Sequence, residues 1–172
     1  MNAALQAIPQ IVSPLDSRAL RTALGQFATG ITVVTTRAPD GGLVGLTVNS
    51  FAALSLEPPL ILWSLRCSSP SLPVFENAQR FVVNVLAEAQ VEVSRRFALP
   101  LADKFDGVAH AENAWGQPLI HGAAAWFECR TLSRQVTGDH HLFIAEVERF
   151  TLSEAAPLLF HAGGYFALGS RL

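Results

Sequence analysis

Lysine is almost missing from this 172-residue chain, where Lys104 stands alone against eleven arginines. The skew reads as compositional bias. Charge of either sign is also scarce, at 15% of residues with a net of −2. A chain without a basic excess has no electrostatic footprint for nucleic acid. Cysteine occurs only at Cys67 and Cys129, far apart and outside any CxxC pattern. That spacing argues against a disulfide framework or a zinc site and suits a reducing cytoplasm. No HxxxH or HExxH spacing links His110, His121, His140, His141 and His161, so no metal is expected. His121 and His161 read as structural. No GxSxG elbow, Walker loop or GxGxxG fingerprint occurs. A nucleophile-elbow hydrolase is disfavoured, and a nucleotide phosphate would have to be held in some other way. The apolar start, Met1 to Pro14, has no basic n-region and is interrupted by Pro9 and Pro14. It reads as neither a signal peptide nor a membrane span. Residues 1–15 are expected as a flexible arm, followed by a single domain over 16–172.

What the chain does have is apolar residues, at 50%. That suffices for one full core, and with so little charge it implies apolar surface buried between subunits. Asp16 or Ser17 can cap a helix whose apolar residues Ala19, Leu20, Ala23, Leu24 and Phe27 recur at helical spacing, ending at Gly30. Ile31 to Thr36 and Leu43 to Asn49 are β-rich and flank the turn Pro39-Asp40-Gly41-Gly42, which predicts a hairpin. Further strands are expected over Leu60 to Leu65 and Phe81 to Leu86, with short helices near Val74 to Asn77 and Gln90 to Phe97. Pro100 to Pro118 reads as loop. Ala123 to Val136 and His140 to Leu152 are two long strands meeting at Gly138-Asp139, and Leu158 to Phe160 and Tyr165 to Leu168 flank Gly163-Gly164. Many short strands between turns indicate a mainly β barrel or sandwich with a few helices.

Three constellations carry chemistry. In Gly138-Asp139-His140 a histidine sits beside a carboxylate where one strand hands over to the next. There it can hydrogen-bond or stack on a ligand lying across the sheet, or it can be an ordinary turn. On a regular strand His140 and His141 point to opposite faces, so only one meets a given ligand. Thr47-Val48-Asn49-Ser50-Phe51 offers donors and acceptors suited to the edge of a flat heteroaromatic ring; the plainer alternative is a polar strand end. Ser68-Ser69-Pro70-Ser71 precedes a helix. It is either a simple cap or a phosphate cradle of hydroxyls and helix amides.

Together, Phe27-Ala28-Thr29-Gly30-Ile31-Thr32-Val33-Val34-Thr35-Thr36, Gly45-Leu46-Thr47-Val48-Asn49-Ser50-Phe51, Ser55-Leu56-Glu57-Pro58-Pro59, Phe81-Val82-Val83-Asn84-Val85-Leu86 and Gly138-Asp139-His140 resemble the short-chain flavin reductases. These are the reductase components of two-component aromatic monooxygenases. The resemblance runs from about Ser17 to Leu168. It implies a homodimeric split β-barrel in the cytoplasm, with FMN or FAD bound near the dimer interface and NADH or NADPH as hydride donor. A partner monooxygenase would receive the reduced flavin, and neither nucleic acid nor membrane would be a partner. By the same resemblance, Thr47, Val48, Asn49 and Ser50 contact the ring and ribityl chain, with Ser55 and Leu56 beside them. Trp63, Ser64, Leu65, Ser69 and Ser71 run along the ribityl and phosphate. Phe97, Lys104 and Phe105 stand toward the phosphate or adenine, and Tyr165 makes a C-terminal contact. His140 meets the nicotinamide, and Asp139 orients its turn. Ala145 stands where the family often has glycine, and its methyl could narrow the pocket. Two other readings stay open: a flavin- or haem-binding split barrel without reductase activity, and an assembly barrel that binds no flavin.

Overall fold

The computed structural model describes residues 16–171, so the arm expected over 1–15 lies outside the described residues. Helix α1 spans Ser17–Leu24 and starts where the Asp16 carboxylate accepts the amides of Arg18 and Ala19 at 3.2 and 3.0 Å. It stops at Leu24 rather than at Gly30, because past Gly25 the amides of Gln26 and Phe27 tighten onto the carbonyls three residues back, Ala23 and Leu24, and the four-residue ladder ends. Thr29–Gly30 instead forms a short strand, β1.

The barrel is built from β2 (Thr32–Arg37), β3 (Leu43–Val48), β4 (Ala52–Leu56), β5 (Pro59–Arg66), β6 (Arg80–Val85), β9 (Ala125–Thr137) and β10 (His140–Leu152). They form one antiparallel sheet in the order β3-β2-β6-β9-β10-β5-β4. Helices α2 (Leu72–Asn77) and α3 (Val91–Ala98) lie between strands, and β7 (His110–Glu112) and β8 (Pro118–Ile120) make a small hairpin. Strands β11 (Leu159–His161) and β12 (Gly164–Phe166) close a second small sheet on β1. Mainly β with a few helices is the observed class.

Strand β2 shows why both faces of this sheet are apolar. Val34 points into the barrel with Trp63, Phe75, Phe81 and Phe143, while Val33 points outward to Phe97, Leu86 and Ile120. Its threonines are buried as well, and their hydroxyls donate to carbonyls of neighbouring segments: Thr32 to Val48 and Thr36 to Arg80. Buried Asn84 completes the outer layer. Its amide donates to the Val33 carbonyl, and its Oδ1 accepts the Ile120 amide at 2.8 Å. A buried polar side chain is tolerated on these terms because its groups are paired.

The long hairpin β9–β10 joins two halves of the barrel. Its Ala125–Arg130 half pairs with β6, and its His140–Glu146 half pairs with β5. Register shifts between Ile144 and Ala145 and between Val147 and Arg149 bend the hairpin at this handover, as β-bulges do. The two outer strands β3 and β4 follow one another directly through Asn49-Ser50-Phe51. Here the sheet is closed by a side chain instead of a ladder. Ser50 Oγ accepts the Ser64 amide and donates to the Ser64 carbonyl, both at 3.0 Å.

Candidate functional site

The closing seam opens onto a cleft of about 440 Å³. The end of β3 supplies Leu46, Thr47 and Val48, and the turn after it supplies Asn49 and Ser50. The end of β5 supplies Ser64, Leu65 and Arg66, and the loop beyond it Ser68, Ser69, Pro70 and Ser71. Phe97 to Pro100 and Lys104 form the opposite wall, and His140 stands at the mouth opposite Arg66 in the strand register. Two cations, Arg66 and Lys104, line this cleft and no carboxylate does. Such a lining attracts an anionic ligand.

Each polar group in the wall has a distinct local role. Asn49 is exposed, and its side chain is bonded to no other described residue. It is therefore available to a ligand. Ser50 is the seam residue described above, so its hydroxyl holds Ser64 and presents Asn49. Thr47 Oγ1 donates to the Ser94 carbonyl at 2.7 Å, and Ser94 Oγ shares a hydrogen bond with the Tyr165 hydroxyl at 2.9 Å. Tyr165 thus stands outside the cleft and ties β12 through α3 to β3. Phe97 is fully buried, and Phe105 meets it edge-on at 4.9 Å from behind, so Phe105 supports the wall without reaching the cleft.

Lys104 Nζ donates to the Phe97 carbonyl at 2.9 Å, and burial pulls its ammonium below the ordinary lysine value. His140 Nδ1 lies 2.7 Å from Asp139 Oδ1. That contact holds the Asp139 carboxyl below its ordinary range, so it is ionised at neutral pH and can only accept. Nδ1 of His140 is therefore the donor, and in the neutral ring Nε2 is a bare acceptor. His141 points the other way and meets Glu76 of α2 at 3.2 Å, as alternation along a strand requires.

Several residues expected at the ligand do not line this cleft. Trp63 is wholly buried in the barrel, stacked on Phe143 at 4.5 Å and edge-on to Phe75 and Phe81. Ile61, Trp63 and Leu65 are the inward residues of β5, and only Leu65 is close enough to the strand end to reach the cleft. Ser55 and Leu56 sit on the outer edge strand β4, with Leu56 93% exposed. Ala145 belongs to the barrel core, so its methyl narrows no part of the cleft. The amides expected to cradle a phosphate at α2 are spent or missing. Leu72 N donates to Ser69 O, Pro73 has none, and Val74 and Phe75 both donate to Ser71 O. An anion there would meet the serine hydroxyls, Arg66 and Lys104 instead. Of Arg66, Arg95, Arg96 and Arg134, only Arg66 lines the cleft. Arg95 pairs with Glu92, Arg96 holds the carbonyls of Asp103 and Lys104, and Arg134 holds that of Ala78.

Leu99 and Pro100 were not foreseen at the site. They follow the end of α3, their place depends on how that helix packs, and no local pattern marks them.

A small closed β-sheet with an electropositive cleft at its seam is the class that this fold and site define. Residues 24–169 match the flavin reductase like domain. The chain belongs to that family. It is 44% identical over 156 residues to the FMN reductase (NADH) SmoA of Agrobacterium fabrum, covering 91% of this chain and 88% of that one. It is also 44% identical over 149 residues to the reductase component of the flavin-dependent trigonelline monooxygenase of Acinetobacter baylyi. That match covers 87% of this chain but 48% of the relative, so the chain spans about half the length of that protein. Among solved structures, the NADH:FAD oxidoreductase SgcE6 of Streptomyces globisporus superposes with a TM-score of 0.88 at 34% identity, over 94% of this chain and 98% of that one.

Proposed function

We infer that this chain is an NAD(P)H:flavin oxidoreductase that supplies reduced flavin to a partner flavin-dependent monooxygenase. The observation that carries the reading is the cleft itself. Asn49, the Ser50 seam, the serine hydroxyls, Lys104 and the neighbouring pair Arg66 and His140 all line it, and no carboxylate does. A flavin has a planar polar ring at one end and a phosphate at the other, and this donor set fits both. When bound, flavin takes up hydride from the nicotinamide and carries it onward.

The protein's share is binding and orientation. Asn49 offers its amide to the ring edge. The backbone of Val48 to Ser50, fixed by the bond to Ser64, presents donors where negative charge grows on the ring, the logic of an oxyanion site. His140, aligned by Asp139, turns Nε2 toward the face that the nicotinamide must approach. Asp139 is a positioning residue, since it acts through His140.

The functional unit in this reading is a homodimer. Leu54 and Leu56 on edge strand β4, and Phe150 and Leu152 at the far end of β10, are large apolar side chains left open to solvent. Apolar surface of this kind is what a subunit contact buries. The compartment in this reading is the cytoplasm, in keeping with two free cysteines, one exposed and one buried. No helix among the described residues is long and apolar enough to cross a membrane.

Anaerobic rapid mixing of the chain and flavin with NADH or NADPH tests the activity. The visible flavin band should bleach, and a preparation that binds flavin yet leaves the band intact would overturn the reductase reading. Light scattering tests the dimer, and a mass near 18.5 kDa at low micromolar concentration would refute it.

A further inference from the structure

A separate pocket, of about 210 Å³, lies at the other end of β2 from the cleft. Thr32 pairs with Val48 at the cleft, whereas Thr36 and Arg37 line this pocket. Among the described residues none borders both spaces. The end of α2 contributes Asn77 and Ala78, and the turn before β8 contributes Trp115 and Gln117. At ~30 Å³ for each water the space equals about seven waters, enough for one small substituted ring.

Gln117 is the residue that fold and cleft leave unexplained. It is only 9% exposed, yet its Oε1 meets no hydrogen-bond donor among the described residues. Buried polar groups are nearly always paired. The turn that carries this one is not loose. Asn113 Oδ1 accepts the amides of Trp115 and Gln117 at 3.0 and 2.9 Å, and Asn113 Nδ2 donates to Glu128 at 2.8 Å. Arg37 Nε donates to the Gly116 carbonyl at 2.9 Å. Gln117 is thus held firmly with its acceptor unmet.

The cations of this pocket are already matched. Arg37 pairs with Glu112, and Arg80 binds Glu148 through Nε and Nη2. Arg80 Nη1 donates to no described residue, and the guanidinium is fixed over the Trp115 ring at 4.6 Å. The pocket therefore offers one unmet acceptor and one idle donor with no net charge to satisfy.

We propose that this pocket binds a small uncharged molecule that carries a carboxamide. A carboxamide is donor and acceptor at once. Its N–H would meet Gln117 Oε1, whose amide turns about a soft terminal torsion. Its carbonyl would accept from Arg80 Nη1. A carboxylate of the same shape brings no donor and leaves Gln117 Oε1 unmet. An ammonium would stand beside two guanidinium groups. Pro39, Val74 and Trp115 give the rest of the molecule an apolar flank. The site stands whether or not the cleft takes flavin, because the two share no residue.

Nuclear magnetic resonance on the isotope-labelled full chain, with no flavin or nucleotide present, tests the proposal with benzamide as probe. Signals of residues 77–80 and 113–117 and of the Gln117 side-chain amide should shift and saturate, while those of Asn49 and Ser69 stay in place. Benzoate should bind about tenfold or more weakly, for want of the donor. Gln117→Met keeps the length of the side chain and removes the acceptor. Without benzamide it should melt at or above the wild-type temperature, since an unmet polar group is gone, and it should not respond to benzamide. Gln79→Trp changes an exposed residue of the pocket wall and should block the response with the fold kept. The absence of saturable shifts at the pocket overturns the proposal. So does benzoate that binds as tightly as benzamide, or a response that survives Gln79→Trp. A Gln117→Met protein that melts well below wild type overturns it too, because Oε1 would then already have a partner.

Discussion

Replacing Ser50 by alanine asks whether the seam or the ligand is what its hydroxyl serves. Ser50 Oγ makes two hydrogen bonds, one from the Ser64 amide and one to the Ser64 carbonyl, each at 3.0 Å. On that side of β5 the pairing with β4 runs only over Pro59–Leu62, so no strand replaces what Ser50 provides at Ser64. Each such bond contributes about 1 kcal/mol net, and the site is half-buried, so Ser50→Ala should cost roughly 2 kcal/mol. For a chain of this size that is a fall of about 4–8 °C in melting temperature. Flavin affinity should weaken as well, because Asn49 loses the anchor that presents it. Threonine keeps the hydroxyl, and Ser50→Thr should restore most of the stability. The assay is thermal unfolding followed by flavin titration on the same samples. A Ser50→Ala protein with an unchanged melting temperature and a lost flavin affinity would refute the reasoning. It would mean that the hydroxyl serves the ligand and that the seam holds without it.

Three other perturbations separate roles in the same way. His140→Ala should slow flavin reduction while leaving flavin affinity nearly intact, whereas His141→Ala should lose its contact to Glu76 and a little stability with turnover kept; stopped-flow kinetics on both variants gives the order, and the reverse order would place the wrong histidine at the cleft. Gly45→Ala should overpack Phe97, costing about 1–3 kcal/mol in chemical denaturation and weakening flavin binding at the same time; unaltered values of both would show that the ring can step aside. Glu148 is held below its ordinary carboxyl value of 4.5, chiefly by its hydrogen bonds from Arg80. The stability it lends is present above that ordinary value and is lost as pH falls through the lower folded-state value. Glu148→Gln should therefore be less stable at neutral pH and should lose less on acidification. Parallel pH–stability curves for the two proteins would contradict this.

Much of this architecture could be read from residue patterns, and the exceptions have physical causes. Strands β2, β3, β5 and β6 announce themselves through β-branched runs between turn residues. Strand β4 does not. Ala52-Ala53-Leu54-Ser55-Leu56 has little strand preference of its own, and it becomes a strand because β5 offers it a partner. Likewise β7 lies inside a stretch rich in turn formers and forms only against β8. At the cleft, Asn49, Ser69, Ser71 and His140 could be found because each sits in a local motif at a strand end. Trp63 stands off the cleft because it lies further down the inward face of β5, where only Leu65 reaches the strand end. Tyr165 and Phe105 stand one layer back from the cleft, behind Ser94 and Phe97. Such layering is set by helix packing and leaves no mark in local spacing.

The solitary lysine also gives the molecule an unusual chemical handle. In this sequence the only amine besides the α-amino group is the Nζ of Lys104. Burial weakens its hold on the proton, so more of it is the free, nucleophilic amine at a given pH than for an ordinary lysine. Acylating reagents, which elsewhere decorate a protein at random, would find one side-chain amine here, in the wall of the cleft. A fluorophore or an isotopic methyl group installed there would report on whatever fills the cleft. Bound ligand would shield the amine, so the rate of labelling would itself become a measure of occupancy.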